Sequence, residues 1–259
     1  KIKLYKETFD TLKYLWQKQI DNINYTNYSY LSGKESKYYT SYRYPQCVSD
    51  SITVILKSGI DQIEQFVTIN GSGHERIIHT PGYLSSDRIS YRNNKIVWDE
   101  IILDPRWDQR SYSVIKIFDM ESGKERQLTR RTRYFSPSVS YDGNKIVVVE
   151  IDKQNRNFLT IINLHNGVVE KRIPSQANKL LQFPAWTEKG QIIVITIDKE
   201  GKGIRRYDPL NQKWNTVLSS KYIDISQPVE WNNYILCRGG FNGIDNIYAV
   251  DSKSNNIYQ

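Results

Sequence analysis

Two short stretches concentrate residues suited to holding an anion. DPRWDQR, residues 104–110, carries Arg106, Trp107 and Arg110, and RRTRY, residues 130–134, carries Arg130, Arg131, Arg133 and Tyr134. Guanidinium forks match carboxylates and phosphates bidentately, and Arg, Trp and Tyr are enriched where binding energy concentrates. The competing reading is a network of Arg–Asp pairs inside the fold with Trp107 as packing, because buried Arg is normally paired. Carboxylates offer a second, weaker set. Glu100 and Glu150 end two matching apolar runs, where an enzyme could use them around an axis, although carboxylates at strand ends are commonly solvated. Asp61 and Asp245 sit in the matching pieces SGIDQI and NGIDNI. There they are candidates for a ligand or cation, or plain turn carboxylates accepting backbone N–H bonds.

Catalytic signatures are missing. There is no HExxH, no G-x-S-x-G elbow and no P-loop. His74, His79 and His165 have no zinc spacing. The expectation is therefore no catalytic residue, no metal and no cofactor.

What positions the two arginine stretches is a repeat. RISYRNNKIVWDE, residues 88–100, returns as SVSYDGNKIVVVE, residues 138–150. Both copies read as a strand, a polar turn and an apolar strand. Units beginning near 45, 87, 137, 184 and 228 each hold four short strands broken by Gly, Asn and Asp turns, the pattern of a propeller blade. The fold class is thus all-β, a propeller over residues 45–259 with five four-stranded blades visible. In such a blade the loop after the second strand and the connection to the next blade lie on the same side. Residues 104–110, read as a long loop between second and third strands, should therefore meet residues 130–134 in a basic-aromatic patch near one mouth of the channel.

Residues 1–22 differ. Leu4, Tyr5, Phe9, Leu12, Leu15, Trp16 and Ile20 fall at helical spacing, which predicts one amphipathic helix lying on the β-domain or on a neighbour. Residues 23–44 form a Tyr-rich connector and a strand leading into the first blade. Lys1 is not an initiator Met, so the chain reads as part of a longer protein.

Composition narrows the partners. The 259 residues carry a formal charge of +8, but 36 Lys and Arg are scattered among 28 Asp and Glu, without the run that marks a nucleic-acid arm. Nucleic acid is not the expected partner. With 19 Tyr against 7 Phe, the chain favours half-buried sheet faces. Cys47 and Cys237 follow no metal or disulfide framework and read as buried free thiols, although ring closure could bring the first and last repeats together. No apolar run reaches membrane-spanning length.

The segment PSVSYDG at residues 137–143, with the Ile–Val strand and Asp-ended strand that follow, resembles the TolB-like, WD-type β-propeller repeat. The resemblance covers residues 45–259. TolB-like propellers usually have six blades, so it implies either a sixth missing here and an incomplete ring, or a ring that closes with five. YTSYRYPQ, DPRWDQRSYSVIK, RYFSPSVSYDG and GIDNIYAVD together look like a propeller segment of large bacterial cell-envelope proteins. In those chains a helical or metalloprotease-like region precedes the propeller and a membrane-associated region can follow. That resemblance implies a non-catalytic scaffold or protein-interaction module, periplasmic or membrane-associated, whose partners are proteins or neighbouring domains of the same chain. A glycan- or peptide-binding propeller is the alternative, and a propeller hydrolase using Glu100 and Glu150 comes after it.

Overall fold

The computed structural model describes residues 8, 10–15, 37–221, 224–240, 245–251, 254 and 256–258. Its apolar runs are strands. Blade one holds β1 Thr40–Ser49, β2 Ile52–Gly59, β3 Gln65–Asn70 and β4 Glu75–His79; blade two holds β5 Leu84–Arg92, β6 Lys95–Asp104, β7 Trp107–Asp119 and β8 Lys124–Gln127. Blade three holds β9 Tyr134–Val139, β10 Lys145–Ile151, β11 Asn157–Asn163 and β12 Val169–Pro174; blade four holds β13 Leu180–Trp186, β14 Ile192–Asp198, β15 Gly201–Asp208 and β16 Lys213–Lys221. Blade five holds β17 Ile225–Trp231, β18 Tyr234–Gly239, β19 Asn246–Asp251 and β20 Ile257–Tyr258. Each blade is an antiparallel sheet of four consecutive strands, so the molecule is a five-blade β-propeller, and among the described residues no sheet combines strands from the two ends of the chain.

The second strands read as unbroken apolar runs because both of their faces are buried. Along β10, Ile146 and Val148 join the core with Val97, Ile115 and Ile117 of blade two, while Val147 and Val149 pack with Ile192 and Val194 of blade four. Successive side chains of a strand point to opposite faces, so one run supplies two interfaces. Val54, Leu56 and Phe66 meet Ile96, Trp98 and Phe118 between blades one and two, and Ile193, Ile195 and Ile204 meet Ile235, Cys237 and Val250 between blades four and five. The far face of blade five differs: Trp231 is 59% exposed, Ile247 72% and Tyr258 49%.

First strands lie side by side around the axis and begin three to five residues before the prolines that mark the repeats. The reason is a shared bulge. Tyr44, Ser136, Phe183 and Gln227, each just before Pro45, Pro137, Pro184 or Pro228, adopt left-handed φ between 49° and 56°. The register with the second strand slips at the same points. A bulge tolerates a proline that a continuous ladder would not.

Blade two alone lacks this proline, and its first strand is built differently. Leu84 faces Glu100 and Ile89 faces Trp98, a wider slip than the one from Phe135 to Ser138 across Val149 and Val147. The two extra bulge residues are recovered at the turn, where Arg92 pairs with Lys95 around Asn93 and Asn94. Both asparagines have positive φ. In blade three the chain turns instead between Ser140 and Lys145. Consequently Ser90 occupies the place of Ser138, not of Ser140. Both hydroxyls accept an N–H from the next blade: Val139 N to Ser90 Oγ at 3.0 Å, and Trp186 N to Ser138 Oγ at 3.4 Å.

Residues 10–15 are helical, as expected, but Leu12 and Leu15 of the anticipated apolar face are 61% and 52% exposed. The remaining residues of that face, Leu4, Tyr5, Phe9, Trp16 and Ile20, lie outside the described residues. No described helix is long and apolar enough to cross a membrane. Cys237 is buried, and burial pushes its thiol up to about 11. Cys47 corrects the expectation of two buried thiols. It is exposed on β1, the strand nearest the axis, and both cysteines are free.

Candidate functional site

Residues 104–110 are not a long loop. β6 runs to Asp104 and β7 resumes at Trp107, leaving Pro105 and Arg106 as a tight turn. Asp104 Oδ1 accepts the Arg106 N–H at 3.0 Å, and proline at the second position presets the bend. The result is a hairpin arm whose tip is exposed on both faces, with Leu103 and Trp107 65% and 64% exposed. Its strand WDQRSY escaped the reading because a strand with two wet faces shows no apolar alternation.

The arm and the connection to blade three do meet. Thr132 O accepts the Ser113 N–H at 3.1 Å, and Arg133 forms a parallel bridge with Ser113. Between them and the end of β10 lies a cavity of about 590 Å3, lined among others by Arg110, Tyr112, Arg131, Arg133, Tyr134 and Glu150. Arg106 and Trp107 line a neighbouring cavity of about 430 Å3 that shares Arg110 and Arg131. Arg130 is exposed and lines neither.

Acidic groups on these walls are mostly occupied. Glu150 accepts Thr160 Oγ1 at 2.6 Å and Arg172 Nη2 at 2.8 Å. Asp152 accepts Arg156 Nε at 2.7 Å. Asp104 accepts the Tyr112 hydroxyl at 3.0 Å. The Arg106 backbone N–H bond, then that hydroxyl and the charges of Arg110 and Arg131, hold its carboxyl below the usual carboxylate range. Arg110 approaches Asp104 only at 3.9 Å and lies 5.3 Å from the Tyr112 ring centre. Among the described residues, Arg106, Arg130 and Arg133 form no ion pair. The cleft therefore presents unspent guanidinium charge next to aromatic faces, the complement of a carboxylate on a peptide-like ligand.

Three of the four carboxylate candidates, Glu100, Glu150 and Asp245, are engaged by neighbouring donors. Glu100 accepts Gly82 N at 3.0 Å and Trp98 Nε1 at 3.1 Å, with Lys116 Nζ at 3.1 Å. It points into the blade one side of its sheet, whereas Glu150 faces blade two. Asp245 is bound by Arg238 Nε at 3.2 Å. Asp61 lines a shallow cavity with Gly59 and Gln62. Asp245 borders residues 241–244, outside the described residues, so the first half of the matched piece NGIDNI lies outside them too. No group of three or more His, Cys, Asp or Glu is placed to hold a metal among the described residues. Of the tryptophans, Trp98 and Trp186 are buried, while Trp107 and Trp231 are exposed on different blades and form no common groove.

Asp99 was not among the candidates. It is fully buried opposite the wide bulge of blade two, where Ser85 and Ser86 hydroxyls both donate to its carboxylate. Ser136 N in turn donates to Ser86 Oγ at 3.1 Å. Burial, only partly offset by the serine donors, pushes its carboxyl up to about 6. With no exposed surface, this group can exchange a proton but cannot reach a substrate. Its sequence signal was an acid inside the apolar run KIVWDE, next to Glu100.

No family model matches the chain, and no curated protein matches it. Solved structures do. A puromycin-hydrolysing peptidase of Mycobacterium tuberculosis superposes with a TM-score of 0.57 at 15% identity, over 84% of this chain and 38% of that one. TolB from Acinetobacter baumannii gives 0.54 at 11% identity, over 79% and 53%. The β-propeller domain of the Trilobed protease from Pyrococcus furiosus, described there as having an open velcro topology, gives 0.58 at 12% identity, over 85% and 68%. The likeness is one of fold, TolB propellers included, and the chain spans well under two thirds of the first two proteins.

Proposed function

We propose that this propeller is a non-catalytic protein-interaction module of a longer bacterial envelope protein, and that it holds a carboxylate-bearing partner in the cleft between blades two and three. One observation carries the reading: Arg110, Arg131 and Arg133 converge with Tyr112 and Tyr134 on one cavity whose acids are engaged elsewhere. A cavity of about 590 Å3 falls within the usual range of about 300–1,000 Å3 for ligand sites. The envelope setting is supported by the resemblance of residues 45–259 to TolB-like repeats. A polypeptide suits the cleft better than nucleic acid, because Asp104, Glu150 and Asp152 interrupt the positive field.

The test is fluorescence anisotropy with a labelled glutamate-rich peptide, titrated at low and physiological salt. Charge reversal at Arg110, Arg131 and Arg133 together is expected to weaken binding by at least about a hundredfold, since three charge-assisted contacts of about 1 kcal/mol or more each are lost. Unchanged affinity in the triple variant, tighter binding of a single-stranded oligonucleotide, or cleavage of the peptide would each overturn the reading.

A further inference from the structure

The outer edge of β7 is claimed by the chain one step at a time, and then abandoned. From Asp119 to Lys116 it pairs with β8. At Ile115, the carbonyl accepts Leu128 N at 2.8 Å and the N–H donates to Thr129 Oγ1 at 2.9 Å. At Ser113, the N–H donates to Thr132 O at 3.1 Å and the carbonyl accepts Thr132 Oγ1 at 2.7 Å. Alternate residues of an antiparallel strand turn both backbone groups to the same side. Ser111 is the next in the series Ile115, Ser113, Ser111, opposite Leu103 of β6. No strand or connection covers it among the described residues. Gln109 to Tyr112 of this edge, with the paired Ser113 beyond them, form one wall of the 590 Å3 cavity.

We infer that the cleft takes its partner as an extended acidic segment that adds to the free edge of β7 at Ser111, in line with the chain's own Thr132–Arg133. The inference rests on the proposed function and specifies how the partner is held. Three features converge on it. The edge is competent for pairing, because Thr132 and Arg133 already use it at Ser113. It is exposed and flanked by a groove, the geometry that strand addition needs. A guest strand also places every second side chain on the face of Arg110 and Tyr112, which Arg131 lines too. Main-chain bonds would then supply affinity and the arginines would select carboxylates at alternate positions.

A labelled peptide alternating glutamate and valine distinguishes strand addition from charge attraction. Its twin, N-methylated on alternate residues, keeps the charge but cannot complete a ladder. The expected result is about tenfold weaker binding of the N-methylated twin, the worth of one or two backbone hydrogen bonds. Ser111→Pro should weaken the unmodified peptide similarly, since an edge strand tolerates proline but loses the outward N–H. Ser111→Ala should bind as well as the parent. If both peptides bind equally while Arg133→Glu weakens both, the arginine cleft stands and strand addition is wrong. If neither acidic peptide binds, both readings fall.

Discussion

At the scale of single residues, Asp99 sets the behaviour most open to measurement. Two serine hydroxyls and a backbone N–H relay satisfy it where the wide bulge interrupts the ladder between β5 and β6. Its folded carboxyl titrates near 6 and its unfolded one near the ordinary aspartate value of 3.8. Between those two pH values the native state binds more protons than the unfolded state. This residue's contribution to stability is therefore fully present below about pH 4, falls as pH rises towards 6, and is flat above. The total fall is on the order of 2–3 kcal/mol. Asp99→Asn keeps the hydrogen-bonding shape and removes the titration. Urea unfolding at several pH values should show the decline between pH 4 and 6 in the parent and not in the variant. An equal slope in both would assign the decline to other groups.

At the scale of elements, the turns decide register. Asn93 and Asn94 close a two-residue hairpin in left-handed conformation, and Asn93 Nδ2 donates to Asp142 O of the next blade at 3.3 Å. Gly143, beside it, has φ of 72°, and a Cβ there would run into the Asn93 side chain. Gly143→Ala should therefore destabilise by about 1–2 kcal/mol, from left-handed backbone and a displaced neighbour. A shift in the urea midpoint without a change in slope is the expected reading. A variant as stable as the parent would mean the turn relaxes freely.

These same elements show what the sequence made legible. KIVWDE and KIVVVE announced second strands because two buried faces demand continuous apolar residues, and Asn-Asn and Asp-Gly announced the turns. Identity of Ser90 with Ser140 misled. Two residues moved from turn to bulge leave the spacing intact while changing which serine meets the next blade, so matched letters were not matched places. WDQRSY was hidden because both its faces meet water, and Asp99 because a polar lock inside an apolar run has no pattern of its own. That residues 104–110 and Arg131 share a cavity wall follows from topology, although the bonds to the connection are made by Ser113 and residues 104–110 proved to be an extended hairpin.

At the scale of the whole molecule, blade five is held chiefly from one side. Ile235, Cys237, Tyr248 and Val250 pack on blade four, while Trp231, Ile247 and Tyr258 stand exposed on the other face. Local opening should therefore start there, below the free energy of global unfolding. The two thiols give a direct assay. A thiol reagent should modify Cys47 at once in the native protein and Cys237 slowly, with a urea dependence shallower than that of global unfolding. Reaction of Cys237 only with the full global slope would show that the blades unfold as one unit.

The self-contained sheets carry a consequence for the gene. Among the described residues every sheet is built of strands consecutive in the chain, so a cut between blades severs no sheet. A stretch of DNA encoding one blade can be copied, dropped or moved in frame, and each product still spells whole sheets with apolar faces awaiting a neighbour. Blade number in a fold of this kind is thus a quantity that in-frame recombination edits in single steps. The altered bulge and turn of blade two are the kind of mark by which one copy, after duplication, departs from its siblings while keeping its length.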